Sequence, residues 1–447
     1  MTDSDAATLL DDLIKKAKAA GADAADALLV EEVALSHAQR LGALERLERE
    51  ESRDLGLRVL IGHRQAIVSS TDTAPEALDA LVERVVAMAR SVPEDDFCGL
   101  AAPEQLAREL PALDIYEDEE PAPELLIERA KACEDAARAV PGITNSEGAE
   151  AGWGQARVTL AASNGFRGGY ALSHHSIGVS VVAGEGLNME RDYEFCTKVH
   201  SADLEAPEKI GRRAAEKAVK RLGARKAGTG KVPVVFDPRI AGSLLRHLAS
   251  AINGSAVARD TSFLKDKMGE PVFAPGITIV DDPHRPRGLR SKPFDGEGVA
   301  NRRRDVIEDG RLTTWILDLR SARQLGLETT GHAARGTASP PGPATTNFYL
   351  EPGAQSPQDL IGEIQEGLYV TEMMGMGVNG VTGDYSRGAA GFWIERGELA
   401  YPVSEVTVAG NLKDMFMALT PADDLEFRYG VDAPTIRVEG TTVAGGA

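Results

Sequence analysis

The stretch GDYSRGAAGFWIERGELAYPVSEVTVAGNL, residues 383–412, combines alternating apolar positions with closely spaced glycines. Its central part, FWIERGELAYPV, predicts a β-hairpin that turns at residues 395–398 and places Trp393 near Tyr401. Glycine lacks a Cβ atom, so a second backbone can approach it closely. The stretch fits either a core hairpin or a surface that takes a peptide or a second subunit. Candidates for peptide binding or subunit contact are Gly383, Asp384, Tyr385, Ser386, Arg387, Gly388 and Gly391.

The sequence around the hairpin indicates a strand-rich C-terminal domain, 232–447. Short strand-like segments broken by Gly and Pro follow VPVVFDP (232–238). Helical patterns interrupt them only at 239–252 and at 357–367. This texture is typical of a β-sandwich or a β-barrel. The basic segment GARKAGTGK, 223–231, precedes the domain as a linker.

The N-terminal region is predicted to have two parts, 1–110 and 121–222. Each part shows an amphipathic helix, then strand-like segments, then a second helix. A proline-dotted acidic linker separates them. The predicted fold class is therefore α+β: a two-part α/β N-terminal region followed by a strand-rich, sandwich-like or barrel-like C-terminal domain.

Charge and composition exclude several classes of function. The chain has 447 residues with 49 basic and 69 acidic side chains, a net charge of −20. Such a chain lacks the basic surface that nucleic acids and anionic membranes require, so neither is an expected partner. The N-terminal MTDSDAATLLDD has no secretory pattern, and we expect a cytoplasmic protein. Its three cysteines, Cys98, Cys133 and Cys196, are expected to be reduced.

Motifs for common catalytic chemistry are missing from the sequence. It contains neither HExxH nor G-x-S-x-G. GMGVNG (375–380) matches G-x-G-x-x-G, but a turn-rich stretch follows where a dinucleotide site needs a helix. His174 and His175 are adjacent in a predicted strand and should face opposite sides. A lone histidine is more often a packing or surface residue than a metal ligand.

The glycine-rich hairpin sequence resembles the TldD/PmbA family, also called modulator of DNA gyrase. PVVFDPRIAGSLL (233–245) and LGLRVLIGHRQAIVSSTD (55–72) support the resemblance, which extends over residues 20–446. It implies a part in the proteolysis of unfolded or small peptides, in peptide-antibiotic precursor processing and in antitoxin turnover. The family has a TldD branch with an HExxxH zinc helix and a late cysteine ligand, and a PmbA or TldE branch without them.

The resemblance places the zinc-helix positions on Arg246, His247 and Ala251. Here Arg246 replaces the first histidine, His247 the glutamate and Ala251 the second histidine. A shift by one residue puts His247 on the first ligand but leaves Leu248 and Ile252 at the other two positions. No cysteine follows Cys196. We therefore expect no catalytic residue, no metal and no cofactor in this chain, and a PmbA/TldE-type sequence.

Three hypotheses follow. The first is a non-catalytic subunit that pairs with a TldD-type zinc peptidase subunit, with zinc in that partner, and binds extended or unfolded peptides by strand addition to its glycine-rich sheet. The second is an active metallopeptidase with a nonstandard site, built from His174, His175, His200 or carboxylates. The third is a homodimeric peptide-binding module.

Overall fold

The structure is a computed structural model that describes residues 3–445. The N-terminal region contains these elements: α1 (Asp3–Ala19), β1 (Ala24–Arg40), β2 (Ala43–Ile61), β3 (Arg64–Ser70), α2 (Pro75–Ser91), α3 (Pro123–Arg138), β4 (Ile143–Ala162), β5 (Arg167–Ala183), β6 (Glu190–Lys198) and α4 (Pro207–Lys220).

The C-terminal region contains more and shorter elements: β7 (Gly230–Phe236), α5 (Pro238–Ala251), α6 (Gly254–Ala258), β8 (Ile279–Asp282), β9 (Arg304–Glu308), β10 (Arg311–Leu312), α7 (Leu319–Leu325), β11 (Ala333–Ala334), β12 (Gly342–Pro343), β13 (Asn347–Leu350), α8 (Pro357–Gly362), β14 (Glu366–Met374), β15 (Asp384–Glu395), β16 (Glu398–Asn411), α9 (Leu412–Met417), β17 (Leu419–Pro421), β18 (Val431–Asp432) and β19 (Ile436–Gly445). No helix within residues 3–445 is both long and apolar enough to cross a membrane.

The six N-terminal strands form one antiparallel sheet in the order β3–β2–β1–β4–β5–β6. Pairing of β1 with β4 joins the strands of both predicted N-terminal parts. Leu29 of β1 packs under α1 and α2, and Leu35 packs under α3 and α4. Because both residues have odd numbers in one strand, all four helices cover the same face of the sheet.

The opposite face of this sheet packs against the C-terminal domain. Leu28 and Phe166 cluster there with Phe294, and the two phenyl rings meet edge to face with centroids 5.0 Å apart. The carboxylate of Asp26 in β1 accepts a hydrogen bond from Arg335 of the C-terminal domain at 2.5 Å. Apolar contacts and a buried ion pair thus join the two regions.

The C-terminal domain contains a closed five-stranded barrel. Its strands run in the order β16–β15–β14–β7–β19, and β19 pairs back onto β16 with Val406 opposite Gly445. A second five-stranded sheet, β10–β9–β8–β13–β18, lies in the same domain. The prediction of an α+β chain with a strand-rich C-terminal domain is confirmed, in the barrel-like form.

The hairpin of the opening stretch is β15 and β16. Its turn lies at Arg396 and Gly397, and Trp393 is directly opposite Tyr401, as predicted. Strand β15 pairs with β14 on one edge and with β16 on the other. The start of β15 is also hydrogen-bonded on the β14 side, since the amide of Ser386 donates to the carbonyl of Gly377 at 2.7 Å. Strand β15 itself therefore offers no free edge to an added peptide strand, because it is paired on both sides in the closed barrel.

Candidate functional site

A cavity of about 710 Å³ lies over helix α5. Its walls come from the exposed side of α5, from residues 256–263, from the segment 373–380 that joins β14 to β15, and from Arg387 of β15. That joining segment carries the G-x-G-x-x-G match. It connects two strands rather than a strand and a helix, so it lacks the helix N-terminus on which dinucleotide binding depends.

Helix α5 has one face for the core and one for the cavity. Asp237 caps its start by accepting a hydrogen bond from the amide of Arg239 at 2.9 Å. Its apolar stripe is fully buried, as the helical spacing predicts: Leu244, Leu245, Leu248 and the following Ile252. The cavity face carries Arg239, Ser243, Arg246, His247, Ser250 and Ala251.

The cavity is cationic. No acidic residue lines it within the described chain, and three arginines do. Arg239 is neutralised by Asp192, whose Oδ1 lies 2.5 Å from its Nη1. Arg246 and Arg387 form no salt bridge with any carboxylate among residues 3–445, and Arg387 Nε donates to the carbonyl of Gly375 at 2.9 Å. Two uncompensated positive charges therefore face this space.

Three buried polar side-chain atoms at the site have no hydrogen-bond partner in the described chain: Ser243 Oγ, His247 Nε2 and Tyr385 Oη. The His247 ring meets the Tyr385 ring edge to face at 5.9 Å. Burial, with help from the charges of Arg387 and Arg246, lowers the pKa of His247 to about 4. The imidazole is thus neutral near pH 7, and burial raises the pKa of Tyr385 to about 12, so the phenol is also neutral.

Successive side chains of β15 point to opposite faces, so the candidate residues of the stretch 383–391 lie on two different sides. Tyr385 and Arg387 both face α5: Arg387 lines the cavity with Arg246 and His247, and Tyr385 is buried in the core against the His247 ring. Asp384 and Ser386 have the opposite orientation and are exposed. Hydrogen bonds from Thr382 and Asn411, at 2.6 and 3.0 Å, lower the pKa of the Asp384 carboxyl.

The glycines of the stretch lie at different places. Gly383 has a φ of +86°, which favours glycine in the turn before β15. Gly388 makes ordinary contact with Met374. Gly391 is buried in the barrel wall, where its Cα closely approaches the carbonyl of Tyr369 in β14. The close approach at Gly391 is therefore between two strands of the same chain.

The sequence analysis missed Ser243 and Arg239. Both lie on α5 at intervals of four residues from His247, a spacing that places residues on one helix face. The same four-residue spacing, read along the polar face of α5 from His247, would have identified both residues.

The cavity residues do not fit a zinc ion. Of Arg246, His247 and Ala251, only His247 has an atom able to bind zinc. The neighbouring arginines would also repel a divalent cation. Within residues 3–445, no group of three or more His, Cys, Asp or Glu side chains is placed to hold a metal.

Two of the three histidines of the nonstandard-site hypothesis pair with carboxylates outside the cavity. His175 Nε2 lies 2.6 Å from Glu117, and His200 Nε2 lies 3.1 Å from Asp114. His174 packs over Gly154 in the neighbouring strand. As predicted, His174 and His175 face opposite sides of β5, one exposed and one buried.

Family models match three parts of the chain. They are described as PmbA/TldA metallopeptidase domain 1 at residues 25–89, central domain at 116–222 and C-terminal domain at 229–445. Together they cover well over half of the sequence.

Curated relatives and solved structures agree with these models. Metalloprotease PmbA of Escherichia coli O157:H7 is 39% identical over 425 residues, 95% of this chain and 92% of that protein. The PmbA homologue of Haemophilus influenzae is 35% identical over 92% of this chain and 90% of its own length. A candidate modulator of DNA gyrase from Bacteroides thetaiotaomicron superposes with a TM-score of 0.91, at 28% identity and 98% coverage of both chains.

TldE from Thermococcus kodakarensis shares the fold, with a TM-score of 0.87 at 23% identity, over 98% of this chain and all of that one. The matched models span all three parts of the chain, and the relatives align along nearly its whole length. The chain therefore belongs to the PmbA/TldD metallopeptidase family.

Proposed function

We propose that this chain is the non-catalytic, PmbA/TldE-type subunit of a two-chain peptidase, in which a TldD-type partner supplies the zinc. One observation carries the proposal. Where the family resemblance places the HExxxH helix, this chain has a cavity lined by Arg246, His247 and Ala251, with Arg387 opposite. Neither a second ligand nor a carboxylate base is present there, and both are needed for zinc-dependent hydrolysis.

The similarity figures favour the same branch. The PmbA relative of Escherichia coli aligns with 95% of this chain at 39% identity. A TldD homologue of Haemophilus influenzae aligns with 53% at 28% identity. Those relatives carry the name metalloprotease, and we propose that this chain serves such an enzyme without holding its metal.

The substrates would be extended or unfolded peptides, acted on in the cytoplasm. Since β15 has no free edge, we assign peptide contact to the cavity over α5 and not to an added strand. Apolar side chains form part of the cavity lining, including Phe263, Met373 and Met376. A lining of this kind accepts varied side chains because methionine is flexible and polarisable.

Co-expression with a TldD-type chain tests the proposal. We expect a stable complex of the two chains, with hydrolysis of an unfolded peptide such as β-casein that neither chain achieves alone. Replacing the glutamate of the partner's HExxxH motif by glutamine should abolish hydrolysis, because that residue activates the zinc-bound water. Size-exclusion chromatography and the rate of peptide release are the measurements.

The same experiment separates the other hypotheses. Chelator-sensitive hydrolysis by this chain alone would contradict the proposal and support a nonstandard active site. A stable homodimer that ignores the TldD-type chain would support a peptide-binding module instead. The exposed Asp384 is a candidate contact between the two subunits, so Asp384→Lys should weaken assembly of the complex. Asp79→Lys on the exposed side of α2 makes the same charge change and should leave assembly unchanged.

A further inference from the structure

The cavity over α5 has the features of an anion receptor, on the site where the family resemblance places a metal. We propose that it binds the carboxylate of a peptide, in the first place its free C-terminus. The proposal goes beyond the subunit role and rests on it only in taking the ligands to be peptides. It names the chemical group that this chain recognises.

The charge at the cavity is the first argument. The chain as a whole carries a net charge of −20, so its average surface repels anions. Within the cavity the balance is reversed, because Arg246 and Arg387 have no carboxylate partner in the described chain and no acid lines the wall. Arg290 is close enough that, after burial, the charge of Arg246 helps to lower its pKa. Guanidinium groups match a carboxylate in geometry as well as in charge.

The unpartnered polar atoms are the second argument. Ser243 Oγ, His247 Nε2 and Tyr385 Oη are buried without a hydrogen-bond partner in residues 3–445. Buried polar groups are nearly always paired, so the two that belong to cavity-lining residues, Ser243 Oγ and His247 Nε2, call for a ligand or ordered water. The Ser243 hydroxyl is a donor at the cavity wall, and a carboxylate accepts up to about four hydrogen bonds.

The apolar part of the lining identifies the anion as part of a peptide. Phe263, Val378 and Leu412 line the cavity together with the arginines, as does Met376, which is 95% exposed. A C-terminal residue with an apolar side chain offers a carboxylate to the arginines and a hydrocarbon group to these apolar side chains. Free phosphate would use the arginines only.

Fluorescence anisotropy with N-terminally labelled peptides tests the proposal on the chain alone. The probes are Ala-Ala-Ala-Leu as the free acid, the same peptide as its C-terminal amide, and the amide of Ala-Ala-Glu-Leu. We expect the free acid to bind at least about 10-fold more tightly than the first amide, as charge-assisted hydrogen bonds predict. If the amide of Ala-Ala-Glu-Leu binds as tightly as the free acid, the cavity still recognises a carboxylate, but an acidic side chain can supply it as well as the C-terminus.

Two arginine substitutions and one matched control complete the test. Arg246→Gln and Arg387→Gln should each reduce the preference for the acid about fivefold or more. Arg84→Gln on the exposed side of α2 removes the same charge and should leave the preference unchanged. Because Arg387 also holds the carbonyl of Gly375, Arg246→Gln keeps the test valid if Arg387→Gln disturbs the fold. Thermal melts check that each variant is folded.

Three results would overturn the proposal: equal binding of acid and amide by the unmodified chain, an unchanged preference in a folded Arg246→Gln variant, or displacement of the acid by inorganic phosphate at equal affinity. Assembly with a TldD-type chain is measured separately. A chain that prefers the acid but forms no complex would refute the subunit role and leave the carboxylate site intact. A chain that forms the complex but binds acid and amide equally would refute the carboxylate site and leave the subunit role intact.

Discussion

Replacing Asp26 by asparagine is expected to lower the free energy of unfolding by about 3–5 kcal/mol. Asp26 lies in β1 with 3% of its side chain exposed, where it pairs with Arg58 of β2 and with Arg335 of the C-terminal domain. The substitution leaves two buried guanidinium groups without their shared carboxylate, which costs far more than the loss of an exposed pair.

The effect should depend on pH in a defined direction. Burial acts to raise the pKa of Asp26, but the charges of Arg335 and Arg58 bring it below its usual value. A carboxyl with a depressed folded pKa stabilises the protein above its unfolded pKa of about 4 and loses that contribution as the pH falls through the folded value. The unmodified chain and the variant should therefore converge in strong acid.

Urea denaturation followed by circular dichroism measures the loss. Asp79→Asn is the control, because Asp79 pairs with Lys16 on the surface and should cost about 0–1 kcal/mol. An Asp26→Asn, Arg335→Met double variant should lose less than the sum of its single changes, since it removes one of the stranded cations. A loss below about 1 kcal/mol for Asp26→Asn would contradict the view that this cluster holds the two regions together.

Gly391→Ala is expected to destabilise the barrel by about 3 kcal/mol or more. A Cβ atom at this position would lie 1.9 Å from the carbonyl oxygen of Tyr369 in the paired strand β14. Backbone atoms cannot rotate away as a flexible side chain does, so β14 and β15 would have to separate. Because β15 supplies Arg387 to the cavity, the same change should weaken the peptide binding that we propose there.

Gly388→Ala is a matched control in the same strand. Its new Cβ would lie 3.4 Å from Met374, an ordinary contact, so the expected change in stability is within about 0.5 kcal/mol of zero. Thermal unfolding of the two variants side by side is the measurement. Equal melting temperatures would show that the barrel adjusts at Gly391, contrary to this account.

Local patterns in the sequence predict much of the fold. The spacing of Leu244, Leu245, Leu248 and Ile252 identifies the buried side of α5 correctly. The ERGE turn predicts the β15–β16 hairpin and the pairing of Trp393 with Tyr401. These features depend on residues close in sequence, where turn chemistry and periodicity decide the structure.

Long-range pairing is not predictable from such patterns. Alternating strands suit a sandwich and a barrel equally, and only the return pairing of β19 onto β16 decides between them. The junction of β1 with β4 into one sheet likewise depends on strands more than 100 residues apart, roughly the separation of Asp26 and Ala162. Neither pairing leaves a local signal.

The candidate site was likewise predicted only in part from the sequence. Resemblance located Arg246 and His247, and the glycine-rich stretch led to Tyr385 and Arg387. That the last two face α5, whereas Asp384 faces away, follows from the register of β15. Ser243 has no motif of its own: helical spacing places it on the same face of α5 as His247, and the structure adds that its hydroxyl is buried without a partner in the described chain.

Zinc content per chain tests the central claim most directly. The protein would be purified alone, without a metal-affinity tag, and analysed for metal by mass spectrometry after dialysis against a zinc-containing buffer and then a zinc-free one. A cavity with two uncompensated arginines and one neutral histidine should retain far less than one zinc per chain. A value near one zinc per chain would contradict the account and make this chain a metallopeptidase in its own right.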